Sequence, residues 1–342
     1  MNGDLLDPLR APDMSRRVFM VAAAGGFLAA PLAAAAQPAG KHYRMGFLSA
    51  AAASAPRFQG FLEALRKGLV ELGYVEGRNI AIESRWAAGK YELLPGLAAE
   101  LVRLKMDVIV TAAVPAIRAA KEATSTIPII MAVVVDPVAT GLVTSLARPG
   151  GNITGLSVMT PELVGKQLEM LKEIVPKASR VAVLWNPTNQ GNPLQLRAAE
   201  GAARTLGMRL QPLEASTRRE IDNAFAAMTK EGAAAVVVLV DVVFNEQWSR
   251  IAELATRGRL PMISALSETA EAGGLIAYGP SIADAFRRAA TYVDKVLKGA
   301  NPGDLPIEQP TKFDLVINLR TAKTLGVSIP PSLRQRADQV IE

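Results

Sequence analysis

The stretch Asp107-Val108-Ile109-Val110-Thr111-Ala112-Ala113-Val114-Pro115 decides the fold, because a short apolar run ends there directly before a proline. Proline is favoured at the first helical position, where its missing N–H costs nothing, so the run is a strand handing over to a helix. The same unit recurs in both directions along the chain. Apolar runs at 44–49, 79–86, 107–111, 127–134, 180–185, 209–213, 234–240, 261–266 and 275–278 alternate with helical patterns. That alternation predicts an α/β class with parallel sheets and helices on their faces. Between the first two runs, Phe58, Phe61, Leu62, Leu65, Leu69 and Leu72 recur at three and four residues, one buried helix face, and Gly73 closes the helix. A second strong helix is expected over 283–298, with Phe286, Ala290, Val293 and Leu297 on one side and Gly299 after it.

Arg148-Pro149-Gly150-Gly151-Asn152 punctuates this series, since two glycines after a proline continue neither a helix nor a central strand. Beyond it the alternation starts again with a helix over 162–175 and a strand over 180–185. Two α/β lobes are the economical organisation.

At the other end of the argument stands Ser15-Arg16-Arg17-Val18-Phe19-Met20. Two adjacent arginines precede an apolar, alanine-rich run, 21–36, that is too short to span a membrane and ends in the small residues Ala34-Ala35-Ala36. This resembles a twin-arginine signal peptide over 1–36, with Gln37 as the first mature residue. Removing 36 residues from 342 leaves about 306, enough for two ordinary domains. The formal charge of +6 is unchanged by processing, because Arg10, Arg16 and Arg17 leave with Asp4, Asp7 and Asp13. The positive charges are scattered along the chain, so no nucleic-acid partner is expected. No cysteine is present, which excludes disulfides, thiol nucleophiles, thiolate metal sites and lipid attachment at the cleavage site. The mature protein is therefore expected free in the periplasm.

Catalytic chemistry finds little to build on. The single histidine, His42, lies near the mature terminus. Serine or thiol triads and histidine metal sites lack their components, and neither a dinucleotide fingerprint nor a phosphate-binding lysine loop occurs. Asp107, Asp136, Asp222 and Asp241 stand at element ends without pairing. No enzyme, cofactor or metal is expected.

What remains is a set of strand C-termini, where open parallel sheets bind ligands. Thr111-Ala112-Ala113-Val114 offers backbone N–H groups before a helix, suited to a carboxylate, or is an ordinary connection. Asp136 either caps the next helix or faces a ligand amine. Asp241 with Phe244 either holds a cationic or aromatic group or serves as a cap beside a core ring. Asn186, leaving the strand 180–185, and Tyr278, leaving 275–278, lie at the same edge.

Several stretches resemble one family closely: 71–80 (Glu71-Leu72-Gly73-Tyr74-Val75-Glu76-Gly77-Arg78-Asn79-Ile80), Asp136-Pro137-Val138 with Gly141-Leu142-Val143, and 146–155 around Arg148-Pro149-Gly150-Gly151-Asn152. Val181-Ala182-Val183-Leu184-Trp185-Asn186-Pro187, Glu271-Ala272-Gly273-Gly274, Tyr278-Gly279-Pro280 and Glu308-Gln309-Pro310-Thr311-Lys312-Phe313 continue the match. On these the chain is similar to periplasmic substrate-binding components of ABC importers, in the branch with tryptophan- and phenylalanine-binding members. The resemblance implies a type I periplasmic-binding-protein fold: two Rossmann-like lobes with parallel sheets, joined by a hinge of three crossings. Lobe one would comprise 41–156 plus 279–309, and lobe two 157–278 plus 310–342. It further implies that Ser49, Thr111 and Ala113 hold a ligand carboxylate, while Asp241, Phe244, Asn186 and Tyr278 hold the amine and side chain. Many relatives carry a glycine and a hydroxyl residue in place of Ala112-Ala113, so a less polar carboxylate is also open.

The function so implied is capture of a small carboxylate-bearing ligand, an amino acid or related organic acid, by a monomer that delivers it to an inner-membrane permease. Two alternatives share these motifs: a sensing module docking on a receptor, and an exported hydrolase or isomerase.

Overall fold

A computed structural model describes residues 41–157 and 162–342; the leader expected at 1–36 lies outside the described residues. The chain runs through β1 (Tyr43–Ser49), α1 (Pro56–Glu71), β2 (Ile80–Trp86), α2 (Leu94–Arg103), β3 (Val108–Ala112), α3 (Val114–Ala123), β4 (Ile129–Val133) and β5 (Ile153–Gly155). It continues with α4 (Glu162–Ile174), β6 (Arg180–Trp185), α5 (Asn192–Thr205), β7 (Arg209–Glu214), α6 (Arg218–Lys230), β8 (Ala235–Val238), α7 (Val242–Asn245), α8 (Trp248–Arg257), β9 (Met262–Ser264), α9 (Ser267–Glu271) and β10 (Ile276–Gly279). Last come α10 (Ile282–Leu297), β11 (Asp314–Asn318), α11 (Leu319–Leu325), α12 (Pro331–Arg336) and β12 (Gln339–Ile341).

Two sheets form, with orders β2-β1-β3-β4-β5 and β12-β11-β10-β9-β8-β6-β7. Every pairing is parallel except β10 with β11. The central strands are buried on both faces, which is why their sequences read as continuous apolar runs rather than as alternation. β10 and β11 are antiparallel because the chain leaves after β10, adds α10 to the first sheet, and returns to the second from that end.

The crossings between sheets lie together. Leu156 and Glu308 form a parallel bridge, and Ser157 N–H donates to the Glu308 carbonyl at 2.8 Å. Tyr278 stacks on Phe313 with centroids 5.8 Å apart, joining the remaining two crossings.

Helix α1 begins with Pro56 at its first position and buries Phe58, Phe61, Leu62, Leu65 and Leu69. Leu72, expected on that face, falls past the helix end and is 37% exposed, because Gly73 with φ of 90° turns the chain away. Against this face packs α10, burying Phe286, Ala290, Val293 and Leu297. The two backbones meet at Gly68, where an added Cβ would sit 2.3 Å from the Arg287 carbonyl oxygen.

That contact generates a stability prediction. Gly68→Ala is expected to destabilise the protein by roughly 1–3 kcal/mol through overpacking. Gly60→Ala, on the same helix with nothing within 4 Å of its added Cβ, is expected to stabilise slightly, by up to about 1 kcal/mol. Urea-unfolding midpoints of the two variants, moving in opposite directions, check the pair.

Candidate functional site

In an open parallel sheet the strand order reverses at one point, and the loops leaving the two strands there diverge to leave a crevice. The first sheet reverses between β1 and β3, and the second between β6 and β8. Ser49 and Ala50 follow β1, and Ala112 and Ala113 end β3. Asn189 follows β6, and Val240, Asp241 and Val242 follow β8. All of these residues line one cavity of about 70 Å³. The site is thus two crevices facing each other.

Its apolar wall comes from the first lobe. Phe47 on β1, Phe58 and Phe61 on α1, and Phe286 on α10 line it, with Ile282 from α10 and Leu266 from the second lobe. Phe61 and Phe286 stack with centroids 5.3 Å apart and planes 4° from parallel; Phe58 meets Phe61 edge-on at 5.6 Å. The helix periodicity that identified these rings as core also put them at the cavity, since one side of the aromatic cluster faces it. At about 70 Å³ the cavity is smaller than the roughly 150 Å³ that admits benzene. A ring-sized solute enters it only with the lobes further apart.

Asp241 is the only ionisable residue among the described lining residues. It is 2% exposed, and burial of a carboxylate costs several kcal/mol unless donors surround it. Four do. Oδ1 accepts from Asn186 Nδ2 at 2.9 Å and from the Val243 N–H at 2.9 Å, the latter capping α7. Oδ2 accepts from Asn189 Nδ2 at 2.8 Å and from the Tyr91 hydroxyl at 2.7 Å. Tyr91 stands in a 3₁₀ turn, Tyr91–Leu93, after β2, so this last bond crosses between lobes. Burial first, then the neighbouring Asp241 charge, push the Tyr91 hydroxyl well above its usual pKa, so it remains a donor. Two further bonds join the lobes: Ala52 N–H to Glu246 Oε1 at 2.7 Å and Arg118 Nε to Gln190 Oε1 at 2.9 Å.

Of the residues singled out from sequence, Ser49, Ala113 and Asp241 line the cavity. Ser49 Oγ accepts from the Ala51 N–H at 3.2 Å. Ala113 is the N-cap of α3, with Pro115 second in the helix, and has φ 65° and ψ 144°, a region that favours glycine. Asn186 acts through Asp241: its amide donates to the carboxylate while its oxygen holds Thr188. Thr111 is fully buried and donates to the Leu48 carbonyl at 2.9 Å, tying β3 to β1. Asp136 caps no helix, because the chain after it is a turn; its Oδ1 accepts from the Val138 and Ala139 N–H groups and holds that turn. Phe244 is a core side chain with no exposed area, and Tyr278 packs on Phe313 at the crossings. None of these last four lines the cavity.

Sequence reasoning passed over Tyr91, Asn189 and Asn245. Tyr91 has no signal of its own, being a tyrosine in a polar turn. Asn189, in Asn186-Pro187-Thr188-Asn189, sits three residues beyond a position already singled out, where a second amide on the same loop was a usable cue. Among the described residues no group of three or more histidine, cysteine or acidic side chains is placed to hold a metal, and no helix is long and apolar enough to cross a membrane.

Residues 50–341 match the family described as ABC transporter substrate binding protein. The chain belongs to that family. This substrate-binding protein is 28% identical over 269 residues to a tyrosine-binding protein of Clostridioides difficile, covering 79% of this chain and 76% of that one. It is 26% identical to an ABC domain from Streptococcus pneumonia solved in complex with L-Trp, covering 88% of this chain and all of the other, with a TM-score of 0.82. Against a ligand-free, open substrate binding protein with adhesive properties from Clostridium difficile, also 26% identical over 87% of this chain and 99% of the other, the TM-score is 0.64. The higher score goes to the liganded structure, in line with the three hydrogen bonds that draw the lobes together here. The fold is that of type I periplasmic binding proteins, and the relatives bind solutes rather than transform them.

Two predictions follow from the Asp241 network. Asp241→Asn replaces an acceptor oxygen by a donor facing other donors and is expected to cost about 2–3 kcal/mol in urea unfolding. The second concerns alkaline pH. A tyrosine in the unfolded chain ionises near pH 10, whereas folded Tyr91 holds its proton to higher pH. The stability this contributes is complete below the unfolded value and is lost as pH rises toward the folded one. Stability should therefore fall as pH rises above about 10, less steeply in Tyr91→Phe. Tyr74 and Tyr292, whose hydroxyls are also pushed up by burial, account for the slope that remains.

Proposed function

We propose that the protein captures a small carboxylate-bearing solute, an amino acid with an apolar or aromatic side chain or a related organic acid, and delivers it to an ABC permease in the inner membrane. The observation that carries this is a cavity built from both strand-reversal points, with an aromatic wall on one side and a hydrogen-bonded carboxylate on the other. The tyrosine and tryptophan ligands of the relatives agree with a site of that composition. Segments 41–156 with 279–309, and 157–278 with 310–342, move as two bodies about the crossings. The proposal places the protein in the periplasm, exported by the twin-arginine leader and acting as a soluble monomer.

The mechanism is a population shift. Contacts to both lobes exist together only when the lobes are closed, so a solute that touches both favours closure. The permease then distinguishes the closed from the open form. An affinity near micromolar, worth about 8 kcal/mol, is sufficient for capture and permits release.

Thermal unfolding of the purified mature chain against a panel of amino acids, aromatic acids and short branched acids tests the proposal. At a hundredfold excess over Kd a true ligand stabilises by about 2.7 kcal/mol, a shift of several degrees. A panel with no shift at all rejects solute capture of this class, and turnover of a bound compound would favour an enzyme instead.

A further inference from the structure

The cavity's one ionisable group is saturated, and its four donors are not equivalent. Asn186, Asn189 and the Val243 N–H belong to the same lobe as Asp241 and stay with it whatever the lobes do. Tyr91 follows β2 of the other lobe and departs when the lobes separate. In the open form, then, one acceptor position on Asp241 Oδ2 is left to water. On closure two donors converge on that position: the Tyr91 hydroxyl and any ammonium group the solute carries.

We propose that Tyr91 is a specificity-determining residue, whose hydroxyl competes with a ligand ammonium for Asp241 Oδ2 and so biases the cleft toward solutes that lack an amine. The inference rests on the capture function above and refines which members of its ligand class are favoured. A carboxylate offers about four acceptor positions, and in the closed form all four are taken. An amine-free solute closes the cleft with every one of these bonds intact. An amine-bearing solute that takes Oδ2 leaves the half-buried Tyr91 hydroxyl without this partner in the closed form, and a hydroxyl left unsatisfied away from water is costly. The other polar groups at the cavity, Ser49, Asn189 and Asn245, carry no charge to replace it; Asn189 Oδ1 already accepts from the Gly191 N–H at 3.0 Å, and Asn245 Oδ1 from Trp248 Nε1 at 2.7 Å.

The test compares affinities for matched pairs that differ only by the amine: L-phenylalanine with 3-phenylpropionate, and L-leucine with 4-methylpentanoate. Isothermal titration is run on the wild type and Tyr91→Phe, with Tyr91→Leu as a second variant lacking the hydroxyl. Any general effect of the variant on closure cancels in the ratio within a pair. Removing the hydroxyl is expected to shift that ratio toward the amino acid by about tenfold or more in each pair that binds. An unchanged ratio, or a shift toward the amine-free acid, overturns the proposal. Binding of some other class of solute, with neither member of either pair recognised by any of the three proteins, overturns it and leaves capture standing. No binding of any solute removes both.

Discussion

A buried carboxylate must be surrounded by donors, and at Asp241 that requirement organises the whole second-lobe side of the cleft. Asn186 and Asn189 reach it from the loop after β6, and Val243 from the first turn of α7. The loop is fixed in turn, since Asn192 Oδ1 accepts from the Asn186 N–H at 2.9 Å and Asn192 Nδ2 donates to the Val240 carbonyl at 3.2 Å. The two strand ends at the reversal point are therefore one hydrogen-bonded unit. With all of its own lobe's donors placed, Asp241 has one acceptor position left, which water fills in the open cleft and the opposite lobe or a solute in the closed one. Closure is in this sense written into the satisfaction of a single side chain.

The facing wall is held by dispersion and ring packing instead. Phe47, Phe58, Phe61 and Phe286 come from a strand and two helices, and α10, which supplies Phe286, lies between β10 and β11 in sequence. Aromatic pairs of this kind add about 0.5–1.5 kcal/mol each beyond their buried area. The chain must therefore leave the second sheet, complete the first lobe's wall, and return. That detour creates two of the three crossings, and the near contact of α1 with α10 at Gly68 makes it rigid. Two lobes built this way are stiff bodies joined by adjacent extended segments, the arrangement that favours rotation over deformation.

The fold was legible because its determinants are local. Each apolar run at 107–111, 180–185 or 234–240 coincides with a strand, and the faces of α1 and α10 follow from spacing alone. The strands not foreseen are β5 and β12, three residues each, and β11, whose place next to β10 depends on the return crossing. The site was less legible. Asp241 stood out as a carboxylate ending an apolar strand, but whether it caps a helix or lines a cleft cannot be told from sequence, and it does both. Phe244 looked equivalent and is core: Asp241 is the extended N-cap outside α7, and of the helix's last two residues it is Asn245 that lines the cavity. Tyr91 acts across 150 residues of sequence, and no local pattern encodes such a contact.

The balance between open and closed forms follows from these contacts. The bonds Tyr91–Asp241, Ala52–Glu246 and Arg118–Gln190 are each worth about 0.5–1.5 kcal/mol net of water, and closure must offset the lost freedom of two bodies and the drying of a crevice. Bonds of this size are comparable to the differential contacts a solute makes, so a solute that touches both lobes shifts the balance between the two forms. A cleft that can satisfy its own carboxylate closes more readily without solute than one that leaves it bare. Selectivity then resides less in how many bonds a solute makes than in which of the protein's own bonds it replaces. For a carboxylate with a single free acceptor position, that replacement is one for one, and the hydroxyl of Tyr91 sets the standard a solute has to meet.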